Sequence, residues 1–147
     1  MRIKILTEVN APLDKVIDNF DAELFNALSP PLIKVNLLRF DGCNKDDKVH
    51  VELNILGLKQ NWEALVVEDE RTDARWYFKD IGAKLPPPLK KWEHRHIVNK
   101  VSDEKVEIID DVNYHTSNGL VDILVYPFVY FQFYWRKHIY RSYFLKK

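Results

Sequence analysis

The chain has 147 residues, about the length of one domain, and enough to bury a full hydrophobic core without cross-links. Its 22 Lys+Arg balance 22 Asp+Glu, which argues against a chain built mainly to hold nucleic acid, and 46% hydrophobic with 13% aromatic residues exclude a disordered tail. Cys43 is the single cysteine, so an internal disulfide and a multi-cysteine metal knuckle are both excluded.

Arg2 to Val9 alternates Ile3 and Ile5 with Arg2, Lys4 and Glu8, the period of a half-buried strand. Charges interrupt its apolar residues within a few positions, so no secretory signal is expected there. Pro12 then precedes Leu13, Val16, Ile17 and Phe20, whose three-and-four spacing predicts a short helix. A second short helix is expected over Asp21 to Leu28, stopped by Ser29-Pro30-Pro31 because proline fixes φ and removes a donor.

Strands follow. Ile33 to Phe40 and Val49 to Leu56 flank the turn-rich segment Asp41 to Asp47, which predicts a hairpin. Gly57 leads into a strand over Gln60 to Glu68, which turns at Asp69 to Asp73 into Arg75 to Lys79. A loop carrying Gly82 and Pro86-Pro87-Pro88 comes next, then two strands, Lys91 to Val101 and Lys105 to Thr116, joined at Ser102-Asp103-Glu104. About seven strands are expected in the sheet.

Leu120 to Leu145 is the longest predicted helix, with ten of the nineteen aromatics, no acid after Asp122, and Arg136, Lys137, Arg141, Lys146 and Lys147 toward its end. Pro127 is expected to kink it. Leu124, Phe128, Phe131, Trp135 and Ile139 form one helical stripe, but tyrosines and phenylalanines occupy the other faces too. A helix apolar nearly all round is buried on more than one side or meets a partner or a membrane. The apolar stretch Ile123 to Trp135 falls short of the about 20 residues that span a bilayer, and the chain is expected to be cytoplasmic.

The order strand, two short helices, antiparallel meander, long C-terminal helix is an α+β arrangement in which the helix covers one sheet face. Several segments extend this. Ser29-Pro30-Pro31-Leu32, Leu56-Gly57-Leu58-Lys59-Gln60-Asn61-Trp62 with the later Trp76, Trp92-Glu93-His94-Arg95-His96, Asp110-Asp111-Val112-Asn113-Tyr114 and the basic run Arg136 to Arg141 occur in one order along the chain. In these segments the sequence resembles the helix-grip superfamily of START domains, plant pathogenesis-related allergens and polyketide cyclases, also called SRPBCC, and within it the bacterial ligand-binding group. The resemblance implies a single helix-grip domain over 1–147, a curved sheet wrapped around the C-terminal helix, and an apolar hollow between them. The Ala83 to Leu89 loop is longer and richer in proline than that pattern.

The residues themselves suggest chemistry on the two paired strands. Trp92, His94, His96 and Val98 share one strand face, and Asp110, Val112 and Tyr114 share another, so an acid stands beside two imidazoles. Such a group binds a polar ligand head or passes protons, since His titrates near neutrality; on a sheet it is as often a satisfied part of the core. Zinc sites need three or four convergent ligands, and beyond His94, His96 and Asp110 the sequence offers no further candidate, so no metal and no cofactor is expected. The triple proline lacks Pro-x-x-Pro spacing, and Cys43 has no base beside it in sequence.

The function implied is binding or transport of an apolar or amphipathic small molecule, lipid, sterol or polyketide-like, rather than catalysis. Its expected wall is Trp62, Trp76, Phe78, Trp92, His94, His96, Asp110, Tyr114, Phe128 and Phe131, with no catalytic residue assigned. The alternatives are a polyketide cyclase or dehydratase using His94 or His96 with Asp110 or Tyr114, and a self-association module through the aromatic helix. Weak peripheral contact with a membrane and a homodimer are partner readings that the same helix leaves open.

Overall fold

A computed structural model describes residues 1–147. The elements run β1 (Arg2–Val9), α1 (Leu13–Asp18), α2 (Ala22–Ala27), β2 (Lys34–Phe40), β3 (Lys48–Ile55), β4 (Leu58–Arg71), β5 (Arg75–Lys84), β6 (Lys91–Ser102), β7 (Lys105–His115) and α3 (Gly119–Lys146). All seven strands form one antiparallel sheet in the order β1-β7-β6-β5-β4-β3-β2. Strands β2 to β7 are a meander in which each pairs with the next, whereas β1 crosses to pair with β7, Ile3 opposite Val112 and Ile5 opposite Asp110. The two short helices carry the chain from one edge of the sheet to the other. Register shifts at Leu37/Arg39, Glu63/Ala64 and Val66/Glu68 mark bulges, which bend a sheet so that one face becomes concave.

The helix starts follow from side chains at their caps. Asp21 accepts a hydrogen bond from the Leu24 N–H at 3.0 Å, and Asn118 accepts from the N–H groups of Leu120 and Val121 at 3.1 Å. The junction from β7 into α3 is tied by Asp122, whose Oδ1 accepts from the Thr116 N–H and hydroxyl at 2.6 Å each, while Oδ2 lies 2.7 Å from His115 Nδ1. Between β3 and β4 the chain reverses on two residues, Leu56 (φ 52°) and Gly57 (φ 86°), both in the left-handed region that such a turn demands.

Two expectations about local structure are corrected. β5 continues past Lys79 to Lys84, so Asp80 and Gly82 lie in a strand; a Cβ at Gly82 would collide with the Leu85 side chain folded over it. In α3, whose buried face the pattern left open, Asp122, Val129, Phe133, Arg136, Tyr140 and Phe144 are buried, and the expected wall residues Phe128 and Phe131 are not. Leu124, Phe128 and Phe131 are exposed, Phe128 at 77%. With apolar residues on every face, periodicity does not choose between stripes, and the chosen one carries the two polar groups that find partners inside. α3 is one continuous helix through Pro127.

The core lies between the concave face and α3, and it comes in two parts. One gathers Val9, Leu13, Val16, Leu24, Trp76, Phe78, Val98, Ile108, Tyr140 and Phe144 among others. The second holds Ile3, Ile5, Trp92, Val112, Tyr114, Val129 and Phe133. Three elements pass from one part to the other, and each places polar residues at the crossing: His94 and His96 between Trp92 and Val98 on β6, Asp110 between Ile108 and Val112 on β7, and Arg136 between Phe133 and Tyr140 on α3. A polar layer therefore divides the apolar interior.

Candidate functional site

Strand alternation sets the polar layer. Asp80 on β5 lies opposite His94 on β6, and His96 lies opposite Asp110 on β7. The hydrogen bonds run diagonally: His94 Nε2 to Asp110 Oδ1 at 2.9 Å, and His96 Nε2 to Asp80 Oδ2 at 2.9 Å. The two rings stack with centroids 3.6 Å apart, and Phe78 stacks on the far side of His96 at 4.1 Å. From the helix, the Tyr140 hydroxyl donates to Asp110 Oδ1 at 3.5 Å and Arg136 Nη1 stands 3.6 Å from the same oxygen, its guanidinium 4.4 Å above the Phe133 ring. Asp110 is 1% exposed and Arg136 9%, so this is an internal charge pair.

Burial sets the protonation of these groups. Burial pushes the His96 pKa down to about 4, helped by His94 beside it and resisted by Asp80, so His96 is neutral at pH 7. Burial alone would raise the Asp110 carboxyl, but the hydrogen bond from His94 and the nearby Arg136 outweigh it and hold Asp110 below the usual carboxylate range. The Tyr140 hydroxyl is pushed up by burial and then by Asp110, and stays protonated. Two buried nitrogens have no hydrogen-bond partner, His96 Nδ1 and Arg136 Nε. Native interiors hold few such atoms, and each marks a place where an acceptor or donor from elsewhere fits.

Above this layer the interior opens into a cavity of about 150 Å³. Seventeen of its 26 lining residues are hydrophobic, drawn from α2, the segment after it and β2 to β6, with Gln132, Phe133 and Arg136 contributed by α3. Leu24, Phe25, Leu28 and Ile33 form one wall, Val49, Val51, Leu53, Ala64 and Val66 another, and Asp80, His94, His96 and Arg136 the polar end. Cys43 also lines it; burial, followed by the nearby Asp47, Asp80 and Asp21, pushes its thiol up to about 12.

Of the residues named from sequence, Trp62, Phe78, Trp92, His94 and His96 line the cavity. Asp110 lies just behind the polar end, bonded to His94. Trp76 sits in the first core cluster, edge-on to Phe20, away from the cavity wall. Tyr114 is buried in the second, its hydroxyl spent on the Asp122 carbonyl at 2.7 Å. Phe128 and Phe131 face outward, because they occupy the stripe of α3 opposite Phe133. Sequence reading missed Asp80, Gln132, Arg136 and Tyr140 at the polar end, and the aliphatic walls around Leu24, Val49, Val51 and Val66. Asp80 continues the Trp76, Phe78 alternation of β5, and Arg136 stands at helical spacing between Phe133 and Tyr140, so the signal for both was present in the pattern.

No protein-family model matches the sequence, and no curated protein matches it. Solved structures do. A START superfamily protein from Mycobacterium smegmatis superposes with a TM-score of 0.63 at 12% identity, covering 90% of each chain. The Zhui aromatase/cyclase from Streptomyces sp. R1128 superposes at 0.60 with 16% identity over 83% of this chain and 72% of its own. Norcoclaurine synthase from Thalictrum flavum, solved with dopamine and hydroxybenzaldehyde, superposes at 0.61 with 13% identity over 95% of this chain and 86% of its own. No helix of the chain is long and apolar enough to cross a membrane. A seven-stranded antiparallel sheet closed over one long C-terminal helix, with two short helices after its first strand, gives this chain the same helix-grip fold as these solved structures.

Proposed function

We propose that the chain binds a compact amphipathic small molecule, its apolar body against the aliphatic and aromatic walls and an oxygen-bearing group at the polar end. The observation that carries this reading is the cavity itself, whose mainly hydrophobic walls end on Asp80, His94, His96 and Arg136. Size narrows the class further. An apolar cavity of about 150 Å³ takes roughly one aromatic ring, so a phenol or an aryl acid fits as the interior stands, whereas a sterol needs the walls to part. The helix-grip structure that holds dopamine and hydroxybenzaldehyde supports the same scale.

General-base catalysis in the same cavity is the second reading, because Asp80 orients His96 through Nε2 and leaves Nδ1 free. A pKa near 4 makes His96 a weak base at neutral pH, which weighs for binding over turnover. Titrating the protein with single-ring phenols and aryl acids, fatty acids and sterols, followed by thermal shift and native mass spectrometry, tests the reading. Single-ring compounds are expected to bind and the substitution Ala64→Leu, which fills the cavity, to weaken them. If sterols bind and single-ring compounds do not, or Ala64→Leu leaves binding unchanged, the reading fails.

A further inference from the structure

The polar layer holds a second arrangement, which shares its residues with the polar end of the ligand-binding reading. Asp80, His94 and His96 each offer one ligand atom, and these atoms lie within 4.8 Å of one another. Asp80 Oδ2 is 2.9 Å from His96 Nε2 and 4.0 Å from His94 Nδ1. Zinc with nitrogen and oxygen ligands at about 2.0–2.1 Å places neighbouring ligand atoms about 3.4 Å apart in a tetrahedron, a spacing that these two distances bracket. All three residues stand on adjacent, hydrogen-bonded strands and line the cavity, so three positions are fixed and a fourth faces the hollow.

The tautomers point the same way. His94 donates Nε2–H to Asp110, which leaves the lone pair of Nδ1 turned toward the Asp80 carboxylate with no proton between them. His96, donating Nε2–H to Asp80, leaves Nδ1 bare and 3.8 Å from Asp110 Oδ1, again a lone pair against a carboxylate. A cation held by His94 Nδ1, His96 Nε2 and Asp80 removes both conflicts. It fills the first gap, and it moves the His96 proton to Nδ1, so that an N–H rather than a lone pair faces Asp110 3.8 Å away. Asp110, bonded to the Nε2–H of His94 at 2.9 Å, is the outer carboxylate that orients a metal-bound histidine. We infer that Asp80, His94 and His96 form a binding site for a divalent first-row transition metal of the zinc type, oriented by Asp110 and open to the cavity at its fourth position. Two imidazoles and one carboxylate suit zinc or cobalt better than the oxygen-seeking magnesium or calcium.

Protein freed of metal by a chelator is titrated with Zn²⁺ and with Co²⁺, with no organic ligand present, so that this result stands apart from the binding reading above. The expected result is one ion per chain, a Tm raised by roughly 5–10 °C at a hundredfold excess over Kd, and Co²⁺ absorption bands of a four- or five-coordinate site. Asp80→Asn and His96→Gln are expected to weaken the ion at least tenfold, and Asp110→Asn about 10–100-fold. Where a variant does not fold, ¹⁵N spectra of the imidazoles in the unmodified protein decide: the ring signals of His94 and His96 shift on Zn²⁺ addition, and those of His50, His115 and His138 do not. Absence of saturable binding of one ion per chain, binding that survives Asp80→Asn and His96→Gln, or ring shifts confined to His50, His115 or His138 overturns the site.

Discussion

Asp110→Asn is the sharpest probe of the internal charge layer. Asp110 is 1% exposed and its Oδ1 meets His94 Nε2 at 2.9 Å, the Tyr140 hydroxyl at 3.5 Å and Arg136 Nη1 at 3.6 Å. Asparagine keeps the size and removes the charge, so Arg136 is left as a buried cation facing a neutral amide. Breaking a buried pair from one side costs about 3–5 kcal/mol, because the remaining charge keeps its desolvation penalty. Arg136→Met has the opposite logic. It removes the cation but preserves the aliphatic packing on Phe133, and Asp110 keeps its bonds to His94 and Tyr140, so a cost of about 1–2 kcal/mol is expected. The double variant should then cost clearly less than the two singles together, with a coupling of at least about 1 kcal/mol. Urea unfolding followed by tryptophan fluorescence measures all four corners of this cycle. Additive costs, or an Asp110→Asn cost below about 1 kcal/mol, would refute the view that Arg136 depends on Asp110.

The two stripes of α3 should separate cleanly: Phe133→Ala is expected to cost about 3–5 kcal/mol by opening a cavity beside Trp92, and Phe128→Ala less than about 0.5 kcal/mol, both by chemical denaturation. In acid, Asp122 has a folded pKa near 2, held down by Thr116 and His115, against about 3.9 when unfolded. Its lowered value means that its contribution is complete above about pH 4 and is lost as pH falls through 2. Thr116→Val should therefore flatten the fall of the urea midpoint between pH 4 and 2, and an unchanged slope would count against this joint. Cys43, with its thiol near 12, should react with a disulfide reagent at pH 8 roughly a thousandfold slower than a free thiol, and faster once urea unfolds the chain. Fast labelling of the folded protein would show that the cavity wall opens on its own.

Much of the architecture is legible in alternation and punctuation. Arg2 to Val9 and Lys91 to Arg95 alternate with a period of two because one face is buried and the other wet, and prolines 12, 30 and 31 bound the short helices by chemistry that acts locally. The site is less legible, since its members are joined only by pairing across strands. His94, His96 and Asp110 stand out because they interrupt apolar faces already identified. Asp80 was lost when its strand was expected to end one residue earlier, among turn-prone neighbours. Arg136 looked like one of several bases suited to a helix end; what places it inside is the carboxylate of Asp110, 26 positions earlier in the chain. Trp76, Tyr114, Phe128 and Phe131 were assigned to the cavity for being large and aromatic, a property that core, surface and pocket share.

The pairing of β1 with β7 has a consequence for how the chain reaches this structure. Ile3 and Val112 must meet across 109 residues, while every other strand finds its partner in the neighbouring hairpin. During synthesis the meander from β2 to β6 can form while β1 still lacks its neighbour, and the half of the core built on Ile3 and Ile5 waits for Val112, Tyr114 and the helix after them. Such distant closure costs more chain entropy than the local hairpins do, and leaves the Ile3, Ile5 edge without its partner until the last strand emerges.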